Sequence, residues 1–343
     1  MRTVGIDIGK NCFHVAICDE RGKVVERARL TRKGLAEFIT RQPQSLIGME
    51  SCAGSQPLAR ACEQSGHTVR IIAAQFVKPY LRAQKNDYND AEAIAEAVTR
   101  PRMRFVAVRS LEQQDLQILH RARDLLVREQ TALINQIRGF LIEYGLAVAQ
   151  GKSSLHRALP SILEDATNEL TPRFRLLLSR LHERCQALAG TIDECDAEIA
   201  RLATGNPICQ RLMTIPGIGP KVATALYAAV GNAAHFNKSR DLAAWIGLVP
   251  RQDTTGGRPR LLGIGGRGNL HLRCLLIHGA RAVMTWRSRH PDKLKIWAGT
   301  LADRRHLNVA VCALANKIAR IAWAILRNDT TYDADLLSAK SAI

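Results

Sequence analysis

The sequence predicts a mixed α/β domain at the N-terminus, followed by long helices and a mainly α C-terminal domain. Short apolar strand-like runs fill the first hundred positions, two long stretches carry apolar residues at helical spacing, and a glycine-bearing turn follows between two helical segments. At 343 residues the chain can form two or three domains with proper cores. We expect domains over residues 1–108, 109–205 and 206–330, with a tail over 331–343.

The composition is strongly basic. Lys and Arg total 49 against 31 Asp and Glu, which gives a net charge of +18 at pH 7. Such an excess on a globular chain favours a polyanionic partner over solubility alone. We recognise no apolar run near the ~18 residues of a membrane span, and therefore expect no membrane association.

Two further features predict a cytoplasmic protein. Met1 and Arg2 lead directly into a strand, so we expect no secretory signal. The nine cysteines show no CxxC pair and no His partner at metal-ligand spacing. We interpret them as reduced thiols that mostly fill the core.

The first hundred residues contain three strands in a meander and then alternating helices and strands. The predicted strands are residues 3–9, 12–19 and 23–30, the run SLIGME that ends at Glu50, and TVRIIAA; the predicted helices are residues 34–41, 56–65 and 90–99. This order is that of the ribonuclease H-like fold, although periodicity by itself supports a mixed α/β domain and no more.

Four carboxylates are candidates for one metal site. Asp7 interrupts an apolar strand, where an ionised carboxylate is costly unless a cation pairs with it. Glu50 ends a neighbouring strand, and Asp87 and Asp90 stand three apart at the start of a helix, so both can face one way. Oxygen ligands that converge at one sheet edge suit Mg²⁺ near phosphate. We expect such a site here.

Each carboxylate also has a simpler interpretation. Asp90, directly before AEAIAEA, is by itself a good helix N-cap. Asp7 in GIDIG could belong to the phosphate loop of a sugar kinase or actin-like ATPase. Those enzymes need a hydroxyl-bearing loop after the Asp and a second phosphate loop. Here Ile8 to Cys12 contain no hydroxyl, and we find no second loop, so the four-carboxylate interpretation is favoured.

Two long helices are predicted, over residues 110–144 and 172–202, with a loop and a short helix over 151–170. Apolar residues form one stripe of the first helix, namely Leu116, Leu119, Leu126, Leu133 and Ile137. The helices could pair with each other or with another protomer, or could pack in an ordinary way within one chain.

The segment IPGIGPKVA resembles the turn of a helix-hairpin-helix module. Gly217 and Gly219 permit a tight turn whose backbone N–H groups can meet a phosphate, and Lys221 adds charge. A purely structural pair of helices is the alternative.

A basic region follows, with 12 Lys and Arg against 3 acids over residues 251–310. Thr254 and Thr255 precede Gly256 and Gly257. The surrounding arginines are Arg251, Arg258, Arg260, Arg267 and Arg273. Arginines can clamp a phosphate, and a hydroxyl beside a phosphodiester is either its ligand or its nucleophile. By residue chemistry alone, a passive nucleic-acid-binding loop is the preferred interpretation.

Both halves of the chain resemble one family over nearly the whole length. GIDIGKNCFHVAI, Glu50 and KNDYNDAEAIAEA resemble the DEDD-type, RuvC-like domain of insertion-sequence transposases related to the pilin-gene invertase. IPGIGP, GLVPRQ, TTGG, RGN and IHGARAV, followed by ADRRHLNVAVCALANKIARIAW, resemble their C-terminal transposase domain.

This resemblance implies a DNA recombinase. Asp7, Glu50, Asp87 and Asp90 would hold Mg²⁺, and a hydroxyl of the C-terminal domain would attack DNA to form a covalent intermediate. The family has a Ser in the hydroxyl turn, whereas this chain has Thr254 and Thr255. The expected nucleic-acid contacts are Gly217, Gly219, Lys221, Arg251, Arg258, Arg260, Arg267, Asn269 and Arg273.

The resemblance also implies partners. It implies donor and target DNA of the element, a structured bridge RNA, and a homo-oligomer between dimer and tetramer whose active sites combine two protomers, in a bacterial cytoplasm at the nucleoid. Two alternatives from the residues stay open: a RuvC-like nuclease that uses activated water, and a non-catalytic nucleic-acid-binding protein.

Overall fold

The structure, a computed structural model, describes residues 1–81, 86–288 and 292–335. Contacts within the chain divide it into two compact units, Met1–Leu111 and Glu112–Ile343. The first is a mixed α/β unit and the second is mostly helical, which confirms the predicted class. The predicted division near residue 205 stays a prediction.

The N-terminal unit is built around a six-stranded sheet in the order β3-β2-β1-β4-β5-β6. Strand β1 pairs parallel to β4, β4 pairs parallel to β5, and the remaining neighbours are antiparallel. Its elements are β1 Thr3–Ile8, β2 Cys12–Cys18, β3 Val24–Thr31, α1 Arg32–Arg41, β4 Leu46–Glu50, α2 Ser55–Gln64, β5 Thr68–Ile72, α3 Ala74–Val77, a 3₁₀ turn Lys78–Tyr80, α4 Asp87–Ala97 and β6 Phe105–Val106.

The central strands are buried on both faces because helices cover both sides. Val4 and Ile6 of β1 and Ile47 and Met49 of β4 are at most 1% exposed. Continuous apolar strands of this kind are typical of parallel pairs enclosed between helices. Their carboxyl ends, where Asp7 and Glu50 stand, therefore meet at one edge of the sheet.

The C-terminal unit is mostly helical, with one two-stranded ribbon. Its elements are α5 Leu111–Glu143, α6 Lys152–Glu164, α7 Pro172–Gly205, α8 Pro207–Met213, α9 Pro220–Val230, α10 Ser239–Ile246, β7 Pro250–Thr255, β8 Arg258–Ile264, α11 Leu270–Thr285, α12 Lys293–Arg304 and α13 Leu307–Asn328. Helices α8 to α13 share one large core, and α5, α6 and α7 share a smaller one. Residues 152–164 form a 13-residue helix, within the segment 151–170 where we predicted a loop and a short helix.

The buried stripe of α5 differs in part from the predicted one. Leu116 and Ile137 are buried as predicted, but the stripe continues through Ile134 and Leu141 and includes the polar residues His120 and Gln130. The polar members are satisfied: Gln130 donates to the Cys185 carbonyl at 3.2 Å and His120 bonds to Thr224. Helical spacing identified the buried face of α5, but a search for apolar residues alone could not find the buried polar residues His120 and Gln130.

Helix α13 corrects one expectation. By length and composition alone, Leu307–Asn328 could span a membrane, so the prediction of no such run is wrong. Half of its most apolar window is buried inside the unit, with Leu314, Ile318 and Ala322 fully enclosed. Core helices of soluble proteins pass the same test. The nine cysteines are free thiols, and only four of them, Cys18, Cys62, Cys185 and Cys209, are buried, so the prediction that they mostly fill the core is wrong.

Candidate functional site

Three of the four predicted carboxylates meet at the sheet edge. One carboxylate oxygen each of Asp7, Asp87 and Asp90 lies within 4.8 Å of the others. Asp7 comes from the end of β1, and the other two come from the first turn of α4. Glu50 ends the adjacent strand β4, close enough that its charge raises the pKa of Asp7.

Helix α4 begins at Asp87, three residues earlier than predicted. Its N-cap is Asn86, whose side-chain oxygen accepts a hydrogen bond from the Tyr88 backbone N–H at 3.0 Å. The interpretation of Asp90 as the N-cap is therefore wrong. With the cap provided elsewhere, the carboxylate of Asp90 is available to the cluster, one helical turn from Asp87.

Glycine at position 5 brings the helix onto the strand. A Cβ at Gly5 would lie 2.0 Å from the Ala91 carbonyl oxygen and 2.7 Å from the Ala95 N. At Gly48 a Cβ would lie 3.0 Å from Val98. Small residues on both elements thus permit close packing of α4 on β1 and β4. This contact holds Asp87 and Asp90 beside Asp7.

The cluster concentrates negative charge in a partly buried place. Burial raises the pKa of Asp7, and the charges of Asp90, Asp87 and Glu50 raise it further. Burial followed by the charge of Asp90 raises the pKa of Glu50, which Lys78 partly opposes. Raised carboxylate pKa values mean that the ionised cluster is unfavourable by itself and would be stabilised by a cation.

His14 is a member of this site that sequence reasoning missed. It pairs directly with Asp7 across β1 and β2, and its Nδ1 lies 3.5 Å from Asp87 Oδ2. The ring of Tyr88 packs edge-on against it at 4.9 Å between centroids. The role of His14 depends on the hairpin register, in which the Gly9 N–H donates to the Cys12 carbonyl at 3.1 Å and Asp7 stands opposite His14.

The donor set fits a hard divalent cation. Carboxylate oxygens within 4.8 Å of one another can converge on a single ion, and oxygen is the ligand that Mg²⁺ and Ca²⁺ prefer. Asp7, Asp87 and Asp90 can supply three ligands, and Glu50 is placed to add a fourth from the neighbouring strand. His14, with its Nδ1 3.5 Å from Asp87 Oδ2, contacts this group of carboxylates from strand β2.

The predicted hydroxyl turn is the tip of the ribbon β7–β8. Gly256 and Gly257 both have positive φ, 59° and 74°, which a two-residue turn between antiparallel strands requires. Every residue of Pro250–Thr255 is exposed, so both hydroxyls are accessible. Thr254 Oγ1 accepts a hydrogen bond from Gln252 Nε2 at 2.8 Å.

The ribbon's register separates the two threonines. Thr255 pairs with Arg258 and Asp253 with Arg260, whereas Thr254 pairs with Pro259. Because alternate residues of a strand face opposite sides, Thr255 shares its face with both arginines. Thr254 lies on the opposite face.

The other residues that we predicted to contact nucleic acid differ in their exposure. Arg251, Arg258, Arg260 and Arg267 are exposed. Arg273 is 9% exposed, and its Nη1 donates to the carbonyl of Gly265 at 2.6 Å and lies near those of Arg267 and Gly247. Asn269 caps α11 by accepting from the Leu272 N–H. These two side chains are engaged in holding the segment together.

The glycine turn between α8 and α9 packs against α11. Gly217 has a φ of 86°, and a Cβ there would lie 2.9 Å from the Gly279 carbonyl oxygen. Gly219 is exposed at the N-cap of α9. The ammonium of Lys221 lies 2.8 Å from Asp196 Oδ2, which also pairs with Arg123. A structural role therefore explains Gly217, while Gly219 stays open to a ligand.

Known sequence families match both halves of the chain. A DEDD transposase domain of the IS110 group matches residues 4–145, and the transposase IS116/IS110/IS902 family matches residues 209–295. These are the two segments in which the carboxylates and the hydroxyl ribbon lie.

The similarity to known proteins covers almost the whole chain. The transposase for insertion sequence element IS1111A of Coxiella burnetii is 42% identical over 332 residues, 97% of this chain and 91% of that protein. A probable family 20 transposase of Pseudomonas aeruginosa is 43% identical over 330 residues, 96% and 98% of the two chains. The pilin gene-inverting protein of Moraxella bovis is 28% identical over 148 residues, 42% of this chain and 45% of that protein.

The identities and coverage confirm the resemblance seen in the sequence. A DEDD transposase domain implies use of a divalent metal, which agrees with the carboxylate cluster. This chain belongs to the IS116/IS110/IS902 family of insertion-sequence transposases.

Proposed function

We propose that this transposase cuts, exchanges and rejoins DNA strands through a covalent protein–DNA intermediate. The observation that carries the proposal is the convergence of Asp7, Asp87 and Asp90 within 4.8 Å at a sheet edge. The strand order β3-β2-β1-β4-β5 supports a ribonuclease H-like, RuvC-like assignment for this unit. Hydrolysis of DNA by water would need only this carboxylate cluster and its metal. The support for a covalent intermediate therefore comes from the threonine hydroxyls of ribbon β7–β8.

Asp7, Asp87, Asp90 and Glu50 would hold Mg²⁺. When bound, the cation supplies positive charge that stabilises a phosphoryl-transfer transition state. The chain contributes the fixed positions of its carboxylates: Asp7 from a buried strand, and Asp87 and Asp90 from a helix seated on Gly5. His14 lies beside this group, with its Nδ1 3.5 Å from Asp87 Oδ2.

The hydroxyl of Thr254 or Thr255 is the proposed nucleophile. The threonine hydroxyl loses its proton as Oγ bonds to the DNA phosphorus, a phosphorus–oxygen bond of the DNA breaks, and the released DNA oxygen takes up a proton. The ester conserves the phosphodiester energy, so strands can be resealed without ATP. Both threonines are candidates, and the face that Thr255 shares with Arg258 and Arg260 supports Thr255.

The exposed arginines would bind the DNA backbone. Arg251, Arg258, Arg260 and Arg267 are exposed and can clamp phosphate oxygens, and Arg258 and Arg260 pair with the strand that carries the hydroxyls. The helix-hairpin-helix assignment of α8–α9 rests on the exposed Gly219 at the start of α9, because Lys221 is ion-paired with Asp196. We leave Arg273 and Asn269 out of the contact set, since internal bonds engage both.

Self-association through the long helices is part of the proposal. Ile118 and Leu125, one heptad apart on α5, are 54% and 58% exposed, and Leu176 on α7 is 57% exposed. Three large, exposed apolar side chains on long helices are suited to pack against a helix of another protomer. We propose a dimer or tetramer, and expect Leu125→Lys to lower the mass measured by light scattering.

Guidance by a structured bridge RNA is proposed from the family resemblance and is supported by the charge of +18. A basic surface binds RNA and DNA alike. Nucleic acid that copurifies from cells carrying the whole element would be sequenced. A discrete RNA encoded by the element is expected, and its absence would count against guidance.

Asp87→Ala tests the metal centre. We expect loss of strand cleavage with nucleic-acid binding retained, because binding comes from arginines of the other unit. Asp115→Ala, an exposed carboxylate on α5, is the matched control and should cleave normally. Normal cleavage by Asp87→Ala would refute the carboxylate assignment, and loss of binding as well would show a general folding defect.

A nuclease that uses activated water is the second candidate. The replacement of the family's serine by threonine favours it, because threonine is β-branched and its χ1 is more restricted. That scheme predicts free DNA ends and no ester. The exposed, Gly-terminated ribbon with paired threonine and arginine favours the covalent scheme.

A further inference from the structure

The C-terminal unit contains a groove that the proposed chemistry does not use. It lies between the base of ribbon β7–β8 and helices α12 and α13, with a volume of about 660 Å³. Pro250 and Ile264 form the ribbon wall, and Trp297 and Val309 form part of the helical wall. The volume is within the roughly 300–1,000 Å³ of small-molecule sites.

Two cations line this groove without an anionic partner. Lys317 and Arg320, one turn apart on α13, both face it, and the lining contains no carboxylate. Among the described residues, neither forms an ion pair. The Arg320 Nε is buried and has no hydrogen-bond partner. A buried donor left unpaired is destabilising, so an acceptor atom bound in the groove would complete the bonding of this side chain.

The groove also presents an aromatic surface. The Lys317 ammonium lies over the Trp297 ring, 4.2 Å from its centroid, and Trp297 is still 36% exposed. Val309 beside it is 53% exposed. Burial and the nearby Arg320 lower the pKa of Lys317, as expected for two cations held together without a counter-ion.

An ordinary packing defect would not combine these features. A gap in a core would be lined by apolar groups, and cations at its edge would extend to solvent or pair with acids. Here an indole and two cations line one open space, and one of these cations, Arg320, carries the unpaired Nε donor. Their combined chemistry suits a planar apolar ring that is attached to an anion.

We propose that this groove binds an unpaired nucleotide of a DNA strand, with its base against Trp297 and its phosphate at Lys317 and Arg320. The nucleotide must be unpaired because a base within a duplex is stacked and cannot reach an indole. We assign the nucleotide to DNA because the ribbon that forms one wall of the groove carries Thr254 and Thr255 at its tip. This choice of DNA rests on the proposed strand-exchange function.

The test uses the full-length protein in EDTA, so that binding is measured without cleavage. Trp297→Ala should weaken binding of a fluorescently labelled single-stranded DNA about 10-fold or more, while duplex binding changes less than about twofold. Trp297→Phe should retain most of the affinity. Arg180→Gln, at an exposed arginine on α7, is the control for charge and should bind both probes as the wild type does.

A second variant and a cross-link protect the test against misfolding. Val309→Glu places a carboxylate at an exposed groove position and should weaken single-strand binding without changing the melting temperature. Irradiation of a single strand that contains 5-iodouracil should join it to Trp297, as mapped by peptide sequencing. Equal binding by wild type and Trp297→Ala, equal loss for duplex, or a cross-link elsewhere would overturn the proposal.

RNA is distinguished in the same assay. A single-stranded RNA of the same sequence is measured beside the DNA, and Trp297→Ala is expected to weaken binding of the DNA. Trp297-dependent binding of RNA alone would overturn the assignment to DNA. Because no covalent step occurs in EDTA, a failure to detect a protein–DNA ester elsewhere leaves this outcome unchanged.

Discussion

The carboxylates and the threonine hydroxyls are held in opposite ways. Asp7 extends from a strand whose preceding residues are buried, and α4 is fixed on that strand by contact at Gly5. The ribbon that carries Thr254 and Thr255 is exposed along all of β7. Like charges must be forced together by packing, whereas a neutral hydroxyl needs no such enclosure. Preorganisation is therefore built into the first region, and we expect DNA to order the second.

The largest expected effect comes from Asp7→Asn. The amide has the shape of the carboxylate but not its charge, so we expect strand cleavage to fall about 1,000-fold or more. The same change should raise the melting temperature of the metal-free protein, because burial and neighbouring charges disfavour ionised Asp7. Calorimetry with and without Mg²⁺ checks both parts. Asp115→Asn is the control, and an unchanged or lowered melting temperature would contradict the electrostatic account.

Gly5→Ala tests the close packing of α4 on β1. The new Cβ would lie 2.0 Å from the Ala91 carbonyl oxygen, so the helix must move, with a loss of about 3 kcal/mol in unfolding free energy and of cleavage. Gly139→Ala, at an exposed position on α5 with nothing within 4 Å, should be neutral or stabilise by roughly 1 kcal/mol. Denaturant titration measures both. Similar effects at the two sites would refute the close-packing argument.

The helical unit has a buried ionisable group with no part in the proposed chemistry. His120 bonds to Thr224 at 2.9 Å, and burial followed by His271 lowers its pKa to about 4 from 6.5. The unfolded chain therefore binds more protons between those pH values. Stability is fully present above pH 6.5 and falls as the pH drops towards 4, by roughly 3 kcal/mol at most.

His120→Gln should remove most of that pH dependence while retaining a donor for Thr224. Chemical denaturation at several pH values measures it, with His278→Gln, at an exposed position on α11, as the control. An unchanged pH dependence in His120→Gln would show that another group is responsible.

The smallest expected effect lies on the ribbon. Arg258→Gln should weaken binding to all DNA sequences alike and reduce the salt dependence of the binding constant by about one ion. Anisotropy titrations over a series of salt concentrations check this, and Arg180→Gln should leave the slope unchanged. A sequence-dependent loss would indicate base contact and contradict a backbone role.

Much of the carboxylate centre could be predicted from local signals. An Asp inside an apolar strand, a Glu at a strand end and two Asp three apart at a helix start are each visible in the sequence. The structure brings three together and places Glu50 on the adjacent strand. His14 escaped notice because its role depends on the register of β1 and β2, which residue types alone do not specify.

The second unit was less predictable because its decisive contacts are distant in sequence. Asp196 pairs with Lys221 across 25 positions, and nothing local signals that pairing. The ribbon β7–β8 was predicted as a turn but not as two strands, since its residues are polar and exposed and lack apolar alternation. Arg273 looked like its basic neighbours until the fold placed it among backbone carbonyls.

The covalent intermediate is the most direct test of the division between a metal centre and a hydroxyl ribbon. Radiolabelled DNA with a nick that stalls exchange would be incubated with protein and Mg²⁺, denatured and separated by gel. We expect a protein-linked strand in the wild type, none in Asp7→Asn, and a link mapped to Thr254 or Thr255 that valine at that position removes. Freely migrating cleaved DNA with no linked protein, under the same stalled conditions, would contradict the account and identify a nuclease.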